Sequence, residues 1–385
     1  MRKEDFTAAA TGQLVPSLEG HLAFVPDPLP PRAYAMDPHS IHLLAEASGA
    51  LGKLSGIGSM LPNPHLLINP FQRREALMSS RIEGTTTGME QLVLFEAQVS
   101  DSAGDADTRE VFNYIAAMNY GLQRLGEIPV SLRFIREVHE VLLQGVRGHD
   151  KRPGEFRHVQ NRIARSRSRM EDSRYVPPPV NEMKQALSDF ERYIHQGNDL
   201  PFLVRLALIH YQFEAIHPFM DGNGRIGRLL ITLLLCEHGL LSQPLLYLSG
   251  YFVRHDDEYR DHLLRISQAG TWSEWIEFFL TGVIEQARDA VDRADRLISL
   301  REAYRSDLQR ERASANLLRL IDHLFAYPAV TNSEAARVLG MTYRGASKQI
   351  QRLEEQGIVV EVTGNERNRV YLASDIVEIV NVPPG

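Results

Sequence analysis

The chain has 385 residues, enough for two or three domains with cores of their own. Charged residues make up 24% and hydrophobic residues 43%, which is typical of globular proteins and excludes a disordered chain or a collagen-like fibre. The 42 basic and 49 acidic residues give a net charge of −7, so any contact with nucleic acid or an anionic membrane must be local.

The single cysteine, Cys236, excludes an intrachain disulfide and a cysteine-based zinc cluster. It ends the apolar run 229–236, which is far shorter than the roughly 18 residues of a membrane span. Residues 1–15 lack the apolar core of a signal peptide. We therefore expect a cytoplasmic protein with no membrane contact.

The N-terminal region, residues 1–107, includes a proline-rich stretch over residues 24–40. Because proline fixes φ and lacks an N–H donor, this stretch predicts an extended wrap over a surface. Apolar residues then recur at helical spacing over 41–54, 70–83 and 87–99. A polar, acidic stretch over residues 101–107 predicts an exposed linker.

Residues 108–282 are predicted to form a mainly helical core. The exception is 152–179, where Pro and Gly residues and alternating apolar residues predict a short β-hairpin or loop. Helical patterns that end near residue 280 are followed by a long amphipathic stretch, 283–312, which predicts a helix that links two domains.

The tail, residues 313–385, has three short helical patterns and then two β-like runs, 358–363 and 369–372. This is the order of a winged helix-turn-helix. The predicted outward face of its second helix-turn-helix segment carries Tyr343, Arg344, Ser347, Lys348 and Arg352. Seven basic residues stand against eight acidic ones in the tail, a balance of −1, so both DNA binding and a protein-interaction role, including a homodimer, stay open.

The segment HPFMDGNGRIGR, residues 217–228, carries the densest set of reactive side chains. His217 follows an apolar helical pattern, and a histidine at a helix end is a candidate general base. Gly222, Asn223 and Gly224 form a turn that leads into the next helix, so main-chain N–H groups and the positive helix end meet in an anion cradle.

Two arginines, Arg225 and Arg228, follow on one face of that helix's first turn, where cations oppose the helix dipole. This placement favours an anionic ligand such as phosphate. Asp221 supplies one hard oxygen, which suits a Mg²⁺ ion that is shared with nucleotide phosphates.

This segment resembles the signature HxFx(D/E)GNGRxxR of Fic-domain proteins, with the likeness extending over roughly residues 108–280. The resemblance implies a helical core that transfers AMP from ATP to a Ser, Thr or Tyr hydroxyl of a target protein. It implies that His217 deprotonates the hydroxyl, that Asp221 binds Mg²⁺ and that Asn223, Gly222 and Gly224 hold the α-phosphate. Arg225 and Arg228 would hold the β- and γ-phosphates.

The resemblance implies two further elements. A flap that aligns the target segment by strand addition falls in residues 154–179, with Ile163 as its candidate residue. Ser79 to Gly84 fits the family's inhibitory motif (S/T)xxxE(G/N), so Glu83 would pair with Arg228 and occupy the place of the γ-phosphate. Read alone, Ser79 and Glu83 are an ordinary helix end.

The sequence thus predicts a mainly α protein with a Fic helical core, a small β-hairpin flap and a C-terminal winged helix-turn-helix. The predicted activity is protein adenylyltransfer with ATP and Mg²⁺, inhibited by Glu83. Two alternatives remain: a DNA-binding regulator that uses the Fic site as a nucleotide sensor, and removal of AMP in the same pocket.

Overall fold

The structure, a computed structural model, describes residues 1–381 except 18–19, 33, 62, 98–104, 164–172, 197–198, 311–313 and 366. The predicted mainly helical fold class is confirmed. The helices up to the tail are α1 (Pro38–Met60), α2 (His65–Ile82), α3 (Met89–Ala97), α4 (Ala106–Arg124), α5 (Leu132–Leu142), α6 (Val180–His195), α7 (Phe202–Ile216), α8 (Asn223–Glu237), α9 (Ser249–Arg254), α10 (Asp256–Ala269) and α11 (Trp272–Arg310).

Helices α7 and α8 form the centre of the core. Almost every residue of α7 is buried, from Leu203 to Ile216, because its sequence is apolar around most of its circumference. The indole of Trp275 in α11 donates a hydrogen bond to the main-chain oxygen of Ala207 (3.0 Å), which ties α7 to the long helix beside it. The loop between α7 and α8 therefore joins two helices of the buried core.

A short antiparallel hairpin near the N-terminus escaped sequence reasoning. Strands β1 (Gly12–Pro16) and β2 (Leu22–Pro26) pair with Leu14 opposite Phe24. Phe24 is fully buried, and its main-chain N–H donates to the Val176 oxygen, so the hairpin covers the predicted flap region from the outside. The proline-rich stretch predicted as an extended wrap begins inside β2 and leads to α1 without another helix among its described residues.

The predicted linker helix 283–312 is the C-terminal part of one continuous helix, α11, which begins at Trp272. The sequence predicted a helical pattern that ends near residue 280 and a separate amphipathic helix from residue 283. In the structure a Cβ at Gly282 would lie 2.7 Å from the Tyr251 ring, so glycine stands there to admit that ring and the helix continues.

The tail contains helices and a three-stranded antiparallel sheet in the order β3-β5-β4. Its elements are α12 (Ala315–Ala326), β3 (Ala329–Thr331), α13 (Asn332–Leu339), α14 (Tyr343–Glu355), β4 (Val360–Glu361), β5 (Val370–Leu372) and α15 (Ser374–Asn381). Its assignment as a winged helix-turn-helix stays a prediction, as do the four domain boundaries.

Buried arginines of the core bind the carbonyl ends of two tail helices. Arg73 in α2 donates to the Ala326 oxygen at the end of α12 (2.8 Å). Arg293 in α11 donates to the oxygens of Ile379 and Val380 at the end of α15. Since cations at helix C-termini are stabilising, these contacts hold the tail against the core.

We expect Arg293→Met to lower the free energy of unfolding by about 2–3 kcal/mol, because the change removes hydrogen bonds of a buried charge and leaves Asp289 without that partner. Arg337→Met, which removes a 75% exposed tail arginine, is the matched control and should stay within about 0.5 kcal/mol of the wild type. Urea unfolding of both variants measures the difference. Equal stabilities would show that the α15 contact contributes nothing.

Among the described helices, none combines the length and the apolar character that crossing a bilayer requires.

Candidate active site

The loop between α7 and α8 has an unusual backbone at both ends. His217, which closes α7, has the left-handed conformation (φ 48°, ψ 60°), rare for a residue with a side chain. Gly222, just before α8, is also left-handed (φ 79°), where glycine is the unstrained residue. The Asn223 side chain closes the loop, since its Oδ1 accepts from the Phe219 N–H and its Nδ2 donates to the Phe219 oxygen, both at 2.8 Å.

A buried histidine from α5 contacts this loop through a hydrogen bond and a stacked ring. His139 Nδ1 accepts a hydrogen bond from the Gly154 N–H (2.9 Å), so its Nε2 carries the proton and donates to the Asp221 oxygen (2.9 Å). Its ring stacks on Phe219 at 3.7 Å. Burial lowers the pKa of His139 to about 4, so the ring is neutral near pH 7 and keeps this donor and acceptor pattern.

A cavity of about 450 Å³ opens beside the loop. It brings together five of the predicted site residues: His217, Gly224, Arg228, Glu83 and Ile163. Its other walls come mainly from α10 and include Tyr259, Arg260, Leu263, Leu264 and Ser267. Asp221, Gly222, Asn223, Arg225 and Ser79 do not line this cavity and lie around the loop or behind Arg228.

Arg228 is buried and bound to the helix end that the sequence analysis singled out. Its Nε donates to Ser79 Oγ (2.8 Å), and its Nη2 donates to the Ser79 oxygen (2.9 Å) and to Glu83 Oε1 (2.8 Å). Burial raises the pKa of Glu83, but the Arg228 guanidinium outweighs that effect, so the net pKa lies below its ordinary value and the carboxyl is ionised. The predicted ion pair between Glu83 and Arg228 is present.

Arg225 points to a different set of partners. Its side chain is 1% exposed, and its Nη1 donates to Glu110 Oε2 (3.2 Å) while its Nη2 donates to Asp221 Oδ1 (3.4 Å). The two arginines of the motif therefore do not act as one pair in this structure. Asp221 Oδ1 also accepts from the Gly222 N–H (2.6 Å), whereas no described residue donates to its Oδ2.

The predicted flap residue lies at the cavity edge. Ile163 pairs with Tyr175 in an isolated antiparallel bridge, with the Ile163 N–H donating to the Tyr175 oxygen at 3.0 Å. Both residues line the cavity. The tip between them, 164–172, lies outside the described residues, so a complete hairpin stays a prediction.

Comparison with known families agrees with this geometry. Residues 41–123 match the model of the Fic/DOC family N-terminal region, and residues 129–235 match the Fic/DOC family model itself. These two regions of the chain are thus similar to the two regions of the Fic/DOC family. Glu83 lies in the first matched Fic region, and the loop from His217 to Arg228 lies in the second.

Individual relatives cover parts of the chain. A protein adenylyltransferase Fic from Drosophila grimshawi is 31% identical over 163 residues, which are 41% of this chain and 32% of that protein. The match thus spans about a third of the relative. A Fic family protein from Desulfovibrio desulfuricans G20 has a TM-score of 0.55 at 21% identity, over 88% of this chain and 97% of that one. A Fic domain containing signaling protein from Bacteroides thetaiotaomicron has a TM-score of 0.50 at 19% identity, over 67% and 97%. These two structures share the fold.

Sequence reasoning missed Glu214, which lines the same cavity and lies one helical turn before His217. Its Oε1 is buried and has no hydrogen-bond partner among the described residues. A Cβ at Gly227 would lie 2.2 Å from that oxygen, so the glycine of the GRIGR segment makes room for it. The signal was present in the sequence as the one acidic residue of a mostly apolar helix, α7.

Burial raises the pKa of Glu214 to about 7, reinforced by Glu83 and opposed by Arg228. The unfolded chain loses this proton near the ordinary value of 4.5, whereas the folded protein keeps it up to about pH 7. The wild type therefore loses stability as the pH rises through this window, and a neutral glutamine does not.

We compare the free energy of unfolding of Glu214→Gln with that of the wild type. When the pH rises from about 5 to about 8, this difference should change by up to about 3 kcal/mol in favour of the variant. Urea unfolding at the two pH values measures this gain. A difference that is the same at both would contradict the raised pKa.

Proposed function

We propose that this protein transfers AMP from ATP to a hydroxyl group of a target protein. The observation that carries the proposal is the cavity that brings His217, Gly224 and Arg228 together where α7 ends and α8 begins. A candidate base, an anion-binding helix N-terminus and a buried cation are the three groups that this reaction requires. The adenylyltransferase name of a relative supports the choice of nucleotide.

In this proposal His217 accepts the proton of the target hydroxyl. Burial lowers the pKa of His217 to about 4, so the ring is neutral and able to accept a proton near pH 7. The hydroxyl oxygen forms a bond to the α-phosphorus, the bond from that phosphorus to the bridging oxygen of the β-phosphate breaks, and pyrophosphate leaves.

The main chain at the start of α8 holds the α-phosphate. The first N–H groups of a helix have no partner within the helix, and here they follow Gly222. Asn223 contributes through its main-chain N–H, because its side chain is occupied by Phe219. Gly224 keeps the space at Glu83 and Arg228 clear, since a Cβ there would lie 2.4 Å from Glu83 Oε1 and 2.9 Å from Arg228 Nη1.

The donor set also fits Mg²⁺ shared with the nucleotide. Asp221 Oδ2 accepts no hydrogen bond from any described residue, and one carboxylate with substrate phosphates and waters is a usual Mg²⁺ environment. Within the described ranges no cluster of three or more His, Cys, Asp or Glu side chains forms a site without the nucleotide. When bound, the ion would offset the charge of the phosphates. Arg225 holds Asp221 in place beside Glu110.

Glu83 inhibits this reaction in the proposal. Arg228 is the buried cation on the phosphate side of the cavity, and Glu83 with Ser79 takes up its Nε and Nη2 donors. A γ-phosphate must displace the carboxylate to reach them. A charge-assisted hydrogen bond of ~1.5–3 kcal/mol suppresses productive ATP binding about ten- to a hundredfold.

Ile163 is proposed to align the target segment. It lies on the short bridge at the cavity edge, and an extended target segment would add to that edge as a further strand.

For the tail, DNA binding and a protein-interaction role both stay open, and DNA binding can be tested on α14. Tyr343, Arg344 and Lys348 are exposed on α14. If they contact phosphates, Lys348→Ala should reduce the slope of log affinity against log salt concentration by about one. A fluorescence titration of duplex DNA at several salt concentrations measures it, with Glu355→Ala as the control. An unchanged slope leaves a homodimer or another protein contact as the role of the tail.

Mass spectrometry of a lysate incubated with ATP, Mg²⁺ and the Glu83→Gly variant tests the proposal. We expect peptides that carry an AMP group on Ser, Thr or Tyr, absent when the same variant also carries His217→Ala. Loss of pre-existing AMP groups instead would favour AMP removal in the same cavity. No change in either direction would contradict both enzyme readings.

A further inference from the structure

Arg157, in the segment before Ile163, is a buried arginine without a carboxylate partner among the described residues. It is 2% exposed. Its three nitrogen donors all go to main-chain oxygens: Nε to His217 (3.1 Å), Nη1 to Val159 (3.2 Å) and Nη2 to Pro178. A buried guanidinium usually has a carboxylate beside it, so its positive charge here is not locally compensated.

The residues it binds form the strained end of α7. His217 is left-handed and precedes Pro218, and a residue before proline prefers an extended backbone. The Arg157 side chain donates to the His217 oxygen, and the Arg157 main-chain N–H donates to the Pro218 oxygen (2.9 Å). Asn161 Nδ2 adds bonds to the His217 oxygen (3.2 Å) and the Phe219 oxygen (2.8 Å). These donors hold the loop in a conformation that His217 would not adopt alone.

The charge of Arg157 also acts on the imidazole of His217. Burial is the largest cause of the lowered pKa of His217, and Arg157 is the second, while the main chain of Glu214 and the Glu83 carboxylate raise it. The carboxyl and guanidinium groups that line the cavity beside His217 are Glu83, Glu214, Arg228, Arg174, Asp256, Asp257 and Arg260. Arg157 approaches the His217 carbonyl, which lies on the main chain, and it has no carboxylate of its own to weaken its field.

We propose that Arg157 is a positioning residue for His217, which fixes the left-handed turn through the His217 carbonyl and disfavours protonation of the imidazole. This role rests on the proposed function, because it requires that His217 acts as the general base. It goes beyond that function by assigning a use to a residue outside the Fic motif. It also explains why a guanidinium is needed there, since one planar group reaches three carbonyl oxygens at once.

Three variants of the full chain, each made in the Glu83→Gly background, separate position from charge. Arg157→Met removes both, Arg157→Lys keeps the charge but not the three-way contact, and Asn161→Ala removes only the second donor to His217. Arg152→Met, which removes a 69% exposed arginine of the same segment, is the control. Self-modification with labelled ATP gives the rate at saturating ATP and the half-saturating ATP concentration at each pH.

We expect Arg157→Met to lower the rate at saturating ATP at least about tenfold near pH 7. Its half-saturating ATP concentration should stay within about twofold of the parent's. The acid limb of its pH–rate profile should move up by about one pH unit. Arg157→Lys and Asn161→Ala should lower the rate without moving the limb. Wild-type rates in Arg157→Met, an unmoved acid limb, or an equal loss in ATP affinity would overturn the proposal. If Arg157→Met does not fold, an Arg157→Lys variant with the full rate overturns it as well.

A titration that does not depend on activity distinguishes this failure from failure of the proposed function. With ¹⁵N-labelled histidine, the His217 ring should protonate about one pH unit higher in Arg157→Met than in its parent. If no variant transfers AMP but the titration shifts, the positioning contact stands and the proposed reaction is wrong. If AMP transfer occurs and the His217 titration does not shift, Arg157 does not act on the imidazole.

Discussion

His217→Ala should lower AMP transfer by about 10²- to 10⁴-fold, the usual contribution of a general base, while ATP binding changes little. The imidazole lines the cavity without binding the predicted phosphate cradle, so its loss removes the proton acceptor and leaves Gly224 and Arg228 in place. Incorporation of labelled AMP and the ATP dissociation constant measure the two effects separately.

His158→Ala is the matched control for this change. His158 is a 57% exposed histidine in the segment before Ile163, and its removal should leave transfer unchanged. Wild-type transfer in His217→Ala would remove this residue from the mechanism. A parallel loss of ATP binding would show that the side chain has a structural role.

Glu83→Gly should raise AMP transfer, including self-modification, about ten- to a hundredfold. The carboxylate and a γ-phosphate compete for the same Arg228 donors, and a buried arginine that loses its anion is strongly driven toward another. Arg228→Ala also breaks the pair but removes the phosphate ligand, so it should lower transfer. The double variant should behave like Arg228→Ala.

Glu90→Gln, an exposed carboxylate in the next helix, is the control and should not change transfer. If Glu83 were only a helix-end residue, its replacement would change stability by at most ~0.5 kcal/mol and leave transfer as it is. Equal incorporation by the wild type and Glu83→Gly would contradict inhibition and leave the role of His217 untouched.

Local sequence was sufficient to predict the parts of the site whose geometry is set within a few residues. The end of α7, the glycine turn and the start of α8 follow from the HPFMDGNGRIGR segment, because each of these features depends on neighbouring residues. The pairing of Glu83 with Arg228, 145 residues apart, came from the resemblance to a known motif. No periodicity or composition indicates such a contact.

The supporting residues were not predictable, because their partners lie far away in the chain. The loop is contacted by His139 from α5, by Glu110 from α4 and by Arg157 from the segment before Ile163. Each of these residues is buried only through tertiary packing. In the sequence they look like ordinary surface residues of amphipathic patterns. The β1–β2 hairpin was missed for a similar reason, since buried Phe24 contacts the distant Tyr175 ring and its main-chain N–H donates to the Val176 oxygen.

The position of Arg225 shows what the spacing of a motif does not predict. Spacing of three residues predicts that Arg225 and Arg228 share a face, and they do lie on one turn of α8. Their long side chains nevertheless bind different acidic partners, Glu110 for Arg225 and Glu83 for Arg228. Side-chain direction depended on which acidic partners the fold supplied.

The central claim is that the cavity transfers AMP and that Glu83 restrains it. The most direct measurement incubates the Glu83→Gly variant with ATP that is labelled on either the α-phosphate or the γ-phosphate and follows label on protein. The account predicts that α-label becomes protein-bound, that γ-label leaves as pyrophosphate, and that His217→Ala abolishes the signal. Protein-bound γ-label, or no α-label above the wild type, would contradict it.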